Sequence, residues 1–230
     1  MRTFRPKTRP LAATFAAAFA LAAAAFAGVA LADVVVYSNT LATKNDGKQL
    51  HHFEGKGANC SRHIRKASLL IQVTGKDTCG YRLPLEGDKP QPDHSLHARL
   101  KLGKQTPKAL RAKSFLGVAV RYGGGTGYTF RVFPKLHKFV LRRLPSGKGF
   151  NVSGKSHQIK ATNKWNDVRL QAFGTTVKAV VNGKQVAKAT DSGANGVKGR
   201  KAEVFVGANK KNAVGAYGRV DDIRLAVPSP

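Results

Sequence analysis

From Asp33 onward apolar and polar residues alternate with a period of two again and again, and no stretch holds a helical period through three turns. Residues 34–37 (Val-Val-Val-Tyr) predict a first strand and residues 69–73 (Leu-Leu-Ile-Gln-Val) another. Gly75-Lys76-Asp77 then signals a turn, with a return strand near residues 81–83. Leu96, Ala98, Leu100 and Leu102 alternate with His97, Arg99 and Lys101, the pattern of a half-buried strand with a basic outer face. A polar loop is expected over residues 103–113. Three strands follow over 115–122, 127–133 and 138–144, the first two joined by Gly123-Gly124-Gly125-Thr126-Gly127. That glycine run lies between strands instead of opening a helix, so it reads as a hairpin loop and not as a dinucleotide fingerprint.

The C-terminal third is the most regular. Val168, Leu170 and Ala172 alternate with Asp167, Arg169 and Gln171, and after Gly174-Thr175 the apolar set resumes at Val177, Ala179 and Val181. Asn182-Gly183 supplies the pair of positive-φ residues that a two-residue type I′ hairpin requires. Val186 and Ala187 begin the return strand, and Val204, Val206, Ile223, Leu225 and Val227 complete the set. About a dozen short antiparallel strands, with no linker to divide them, predict one all-β domain, a two-sheet sandwich or barrel over residues 33–230.

Residues 1–32 differ in kind. Arg2, Arg5, Lys7 and Arg9 precede an Ala-, Phe-, Leu- and Val-rich run from residue 11 to 31 that ends in Ala30-Leu31-Ala32. A basic start, an apolar middle and a small-x-small box make a removable secretory signal, cleaved before Asp33. A retained anchor is the competing reading, since about 20 apolar residues can span a bilayer. The mature chain is then expected outside the cytoplasm, secreted or on the cell-envelope exterior, without stable membrane insertion.

That placement changes how the cysteines and the charge are read. Cys60 and Cys79 are the only two cysteines, and an even count in an oxidising compartment argues for one disulfide. Four of the 40 basic residues lie in residues 1–32, leaving 36 basic against 12 acidic residues in residues 33–230, a net charge of +24. Such a charge draws anionic partners over long range: nucleic acid, acidic polysaccharide, envelope polymers or an anionic membrane.

Two stretches carry a resemblance. Trp165-Asn166-Asp167-Val168-Arg169-Leu170, with Val181-Asn182-Gly183-Lys184 and Asp191 beyond it, is one; the closing Val220-Asp221-Asp222-Ile223-Arg224-Leu225 is the other. Together with Gly117-Val118-Ala119-Val120-Arg121-Tyr122 and Gly127-Tyr128-Thr129-Phe130 they resemble the concanavalin A-like lectin/glucanase superfamily, in its laminin-G-like and 3-keto-disaccharide-hydrolase-like branches. The resemblance covers roughly residues 95–227. It implies a jelly-roll sandwich whose partner is a glycan, and it leaves activity to be found in a site.

No catalytic constellation is legible. Retaining glucanases of this fold set carboxylates at alternate positions of one strand, about 5 Å apart; no E-x-D-x-E run exists, and Glu86-Gly87-Asp88 is bracketed by Pro84 and Pro90. Asp221 and Asp222, adjacent on a strand, are expected on opposite faces. The same holds for His94 and His97, so no metal site is assigned to them. Asp191 and Asp221 admit either calcium or plain turn and strand-end capping. No cofactor is indicated.

The candidate chemistry is recognition. If Val118, Val120, Phe130, Val132, Phe139 and Leu141 face inward, alternation turns Arg121, Arg131, Lys138 and Arg142 outward, with His97 and Arg99 likewise outward on the preceding strand. Arginines on one face suit forked hydrogen bonds to carboxylate, sulfate or phosphate; a merely solvated basic face is the alternative. Trp165, the only tryptophan, fits either a sugar-stacking role or a packed strand start. Arg99, Arg121, Tyr128, Arg131 and Trp165 are therefore the expected ligand-binding residues of a lectin-like, non-catalytic domain for anionic extracellular or cell-wall glycan. A glycoside hydrolase of the same fold is the second reading. A general binder of DNA or envelope polymers is the third, less favoured because neither interleaved RNP-type aromatics nor a helix-turn-helix is present.

Overall fold

The computed structural model describes residues 33–43, 48–56, 58–64, 67–75, 77–83, 93–145, 149–194, 197, 199–209 and 215–228. The signal-sequence reading of residues 1–32 and the Glu86–Asp88 acid pair lie outside them. Among the described residues fifteen strands form two antiparallel sheets packed face to face and not closed into a barrel. They are β1 (Asp33–Asn39), β2 (His51–Glu54), β3 (Ala58–Ile64), β4 (Leu69–Gly75), β5 (Asp77–Arg82), β6 (His94–Leu102), β7 (Ser114–Gly123) and β8 (Thr126–Phe133). The rest are β9 (Lys138–Leu144), β10 (Asn151–Lys155), β11 (Asn166–Phe173), β12 (Thr176–Val181), β13 (Lys184–Thr190), β14 (Lys201–Ala208) and β15 (Ala216–Pro228). One sheet runs β13-β12-β11-β6-β15-β4-β3, with β1 also on β15; the other runs β10-β9-β8-β7-β14-β5-β2.

The alternation read from sequence is the core. Leu96, Ala98, Leu100 and Leu102 of β6, Val168, Leu170 and Ala172 of β11, and Val177, Ala179 and Val181 of β12 are buried. From the other sheet they meet Leu116, Val118 and Val120 of β7, Phe130 and Val132 of β8, Phe139 and Leu141 of β9, and Val204 and Val206 of β14. Apolar atoms removed from water on both inner faces supply the main driving force for this packing. Asn182 (φ 49°) and Gly183 (φ 80°) turn the β12–β13 hairpin as a type I′ turn demands. Asn166, fully buried, accepts the Lys160 N–H at 2.7 Å and donates to the Lys160 carbonyl at 3.1 Å, so it braces the loop before β11.

Three expectations are corrected. The strand after Gly75 is not a hairpin return: β4 pairs with β15 and β3, whereas β5 pairs with β14 and β2, so the chain changes sheet there, through Gly75 (φ 93°) and Asp77 (φ 126°). The loop over 103–113 holds one helical turn, α1 (Lys108–Arg111), anchored by buried Leu110. Asp221 and Asp222 do not point to opposite faces in the regular way, because a bulge intervenes between Asp221 and Arg224, with Asp222 at φ 46°. An extra residue in a strand resets its facing parity. The disulfide joins Cys60 on β3 to Cys79 on β5, stitching the edge of one sheet to the other with Cα atoms 5.7 Å apart.

Candidate functional site

The seven-stranded sheet buries apolar side chains on both faces. On the side away from the core, Phe115, Ala119, Phe133 and Phe205 form a second buried cluster, flanked by half-buried Phe53, Tyr122 and Val140. Strand pairing sets these side chains in rows. One row runs Arg82, Glu203, Ala119, Thr129, Arg142; the next runs Phe53, Gly80, Phe205, Gly117, Arg131, Val140. Glycines make room for the rings. Phe205 stands between Gly80 and Gly117, and Phe115 lies opposite Gly207. A Cβ on Gly117 would overlap the Phe205 ring, and one on Gly207 the Phe115 ring. The rings therefore lie across the neighbouring strands as a floor: Phe115 is 5.5 Å from Phe133 and 6.3 Å from Phe205, centroid to centroid.

Arginines stand on that floor. The Arg131 guanidinium sits 4.5 Å from the Phe115 ring centre, and Arg82 5.3 Å from that of Phe53. Such cation–π contacts hold a guanidinium plane while leaving its edge for a ligand. Among the described residues the Arg131 Nε is buried with no hydrogen-bond partner, and Arg131 forms no ion pair. Burial, and secondarily the Arg142 charge, lower its pKa to about 10, so it remains cationic at neutral pH. Glu203, 2% exposed, accepts from Arg82 Nε at 2.8 Å, and burial pushes its carboxyl pKa up. At the rim a cavity of about 470 Å³ is lined by Tyr122, Thr126, Arg200 and Lys201 with glycines between them.

The five expected ligand residues do not converge. Arg131 is on this face. Arg121 is not: the β7–β8 register shifts between Val120 and Gly123, Arg121 adopts φ 49°, and its side chain is buried. It donates to the Ala172 and Gly174 carbonyls and pairs with Asp93. The bulge cancels the simple alternation that placed Arg121 beside Arg131. Tyr128 is fully buried, stacked on Phe150 and donating to Asp191 at 2.8 Å. Asp191 also accepts from Arg143 Nη1 at 3.2 Å and the Gly193 N–H at 2.9 Å, so its oxygens are engaged within the fold.

Arg99 and Trp165 belong to the opposite surface, the outside of the eight-stranded sheet. There Arg99 lies 5.2 Å and the Lys101 ammonium 4.5 Å from the half-buried Trp165 ring, while Arg99 Nη1 donates to Asp221 at 3.3 Å. His97 and Asp167 form a 3.5 Å pair beside them. Desolvation lowers the His97 pKa despite the nearby Asp222 and Asp167 carboxylates. Phe205, Glu203, Gly207 and the Arg82 partner were missed in the sequence. Their signal was the parity of β14 itself: with Val204 and Val206 inward, 203, 205 and 207 must face out.

No family model matches the sequence, and no curated protein matches it. Solved structures do match in shape. A Bacillus subtilis protein of unknown function with a galectin-like fold superposes with TM-score 0.61 at 13% identity, covering 85% of this chain and 98% of that one. The Bacillus licheniformis β-glucanase gives 0.58 at 11%, covering 84% and 98%, and the Bacillus subtilis carbohydrate-binding module CBM66 gives 0.51 at 13%, covering 74% and 92%. The kappa-carrageenase of Pseudoalteromonas carrageenovora, solved with a kappa-carrageenan oligotetrasaccharide, gives 0.59 at 9%, covering 90% and 99%. Two antiparallel sheets packed face to face make this chain a jelly-roll sandwich, the fold it shares with these structures over most of their length.

Proposed function

We propose that this protein is an exported glycan-binding domain that holds an acidic carbohydrate on the outer face of its seven-stranded sheet. The observation that carries the reading is the Arg131 guanidinium, fixed on the Phe115 ring and without an ion-pair partner among the described residues. Its terminal N–H groups suit forked hydrogen bonds to a ligand carboxylate or sulfate. Arg82 and Arg142 flank it on the same face, and the net charge of the chain draws anions toward it. The fold is one on which both carbohydrate-binding modules and glycanases are built. Export fits the signal-like residues 1–32 and the Cys60–Cys79 disulfide.

The test is affinity across neutral polysaccharides, acidic polysaccharides and duplex DNA, at several salt concentrations, for wild type and Arg131→Met. Losing a charge-assisted bond worth about 1.5–3 kcal/mol weakens acidic-glycan binding roughly tenfold or more, with neutral glycans unaffected. Equal binding by wild type and variant puts the site elsewhere. DNA and acidic glycan binding alike at every salt concentration reduces the activity to general polyanion attraction.

A further inference from the structure

A second concentration of positive charge lies away from that face, where the sandwich opens at the edge strands β2 and β3. A cleft of about 720 Å³ there is lined by Lys48, His51, His52, Arg62, His63 and Tyr81, over the apolar floor of Leu50 and Ile64. Among the described residues no carboxylate lines it. Glu54, on the end of β2, accepts from the Arg62 Nη2, which also donates to the Phe53 carbonyl, each at 3.0 Å. The Arg62 side chain is only 10% exposed, its guanidinium carbon is 5.9 Å from the Tyr81 ring centre, and its Nε is buried with no partner among the described residues. The His52 ring meets the Tyr81 ring edge-on at 4.6 Å, which fixes its orientation. The disulfide partners Cys60 and Cys79 sit two residues from Arg62 and from Tyr81, so both strands are held in register behind the cleft.

We propose that this cleft is a binding site for a tetrahedral oxyanion, a sulfate or phosphate group, free or carried on a larger molecule. Arg62 contributes a guanidinium donor beside the apolar floor, His51, His52 and His63 the walls, and Lys48 the rim. Donors from both edge strands suit a tetrahedral group; His51 extends the Arg82 row, whereas His52 on β2 and Arg62 and His63 on β3 lie off the Arg131 face, so the assignment stands apart from the function proposed above. The histidines add an acid dependence. Burial holds the His52 pKa below its usual value, helped by the Arg62 and His51 charges and opposed by Glu54. A bound dianion reverses that balance and favours imidazolium, so anion binding takes up a proton and strengthens as pH falls.

The experiment is NMR of the histidine side chains in the disulfide-intact protein, titrated with inorganic sulfate and then inorganic phosphate at pH 5.5, 6.5 and 7.5. Saturable shifts at His52 and His63 are expected, with affinity rising about tenfold from pH 7.5 to 5.5 and the His52 midpoint raised by about one pH unit at saturation. His52→Gln, and separately the exposed His63→Gln, weaken sulfate binding fivefold or more; thermal melting confirms that each variant folds. A sulfated oligosaccharide binding more tightly than free sulfate, with its desulfated counterpart inert, identifies a carried group; equal affinity identifies the free ion. Shifts that never saturate, that survive in both variants, or that ignore pH overturn the site. Arg131→Met leaves these shifts intact whether or not the sheet face binds glycan, so the two readings fail separately.

Discussion

Substitution of Asp191 tests whether Tyr128 and Arg143 support the domain from inside. Asp191 is 3% exposed and takes hydrogen bonds from Tyr128 Oη, Arg143 Nη1 and the Gly193 N–H. Asp191→Ala leaves a buried phenol without an acceptor and a cation without its counter-charge. Breaking one side of a buried pair costs about 3–5 kcal/mol. Arg143 keeps the Gly193 carbonyl at 3.0 Å and is partly reached by solvent, which places the loss at the lower end, about 3 kcal/mol. Tyr128→Phe removes one bond to a charged acceptor while Asp191 keeps its other donors, a loss of about 1.5 kcal/mol. For a domain of this size the two variants melt roughly 6–12 °C and 3–6 °C below wild type. Urea denaturation of wild type, both single variants and the double variant measures the coupling. The double variant loses less than the singles combined, by at least about 0.5 kcal/mol, because both delete the same bond. Tyr128→Phe leaves glycan affinity unchanged below its melting range. A loss under about 1 kcal/mol in Asp191→Ala, strict additivity, or a binding defect in folded Tyr128→Phe would refute this account of the cluster.

Reducing the Cys60–Cys79 bond, or replacing both residues with Ser, frees a loop set by a sequence separation of 19; about 3 kcal/mol is lost in the chain-entropy model, readable as a lower denaturation midpoint with and without reductant. Glu203 gives a pH signature. Its folded pKa is raised by burial, so the folded state holds that proton more tightly than the unfolded chain, and stability falls as pH rises from the ordinary Glu range through the folded pKa. Glu203→Gln lacks this term, so wild type gains on the variant as pH is lowered from 7 toward 4; a difference in melting temperature that stays flat over that range contradicts it. Intact-mass analysis of secreted material should find Asp33 at the N-terminus, and recovery of residues 11–31 on the exported chain would disprove cleavage there.

Facing parity within a strand was determined by the sequence, because side-chain direction alternates locally and apolar residues mark the inner side. Leu96 to Leu102, Val168 to Ala172 and Val177 to Val181 are buried as alternation required, and the Asn182-Gly183 turn follows from backbone sterics alone. The Cys60–Cys79 pairing followed from there being no other partner. What only the tertiary structure decided is non-local. Whether Gly75–Asp77 closes a hairpin or carries the chain to the other sheet depends on the partners waiting 120–150 residues later in β14 and β15. The bulges at Arg121 and Asp222 invert parity for reasons set by neighbouring strands, so Arg121 went inside to meet Asp93 and the Ala172 carbonyl. Arg131 and Arg99, both outward by alternation, ended on opposite sides of the molecule, since alternation says in or out but not which sheet. The aromatic floor under Arg131 draws Phe53, Phe115, Phe133 and Phe205 from four separate strands, and no local pattern brings such distant residues into one cluster. Only strand pairing does.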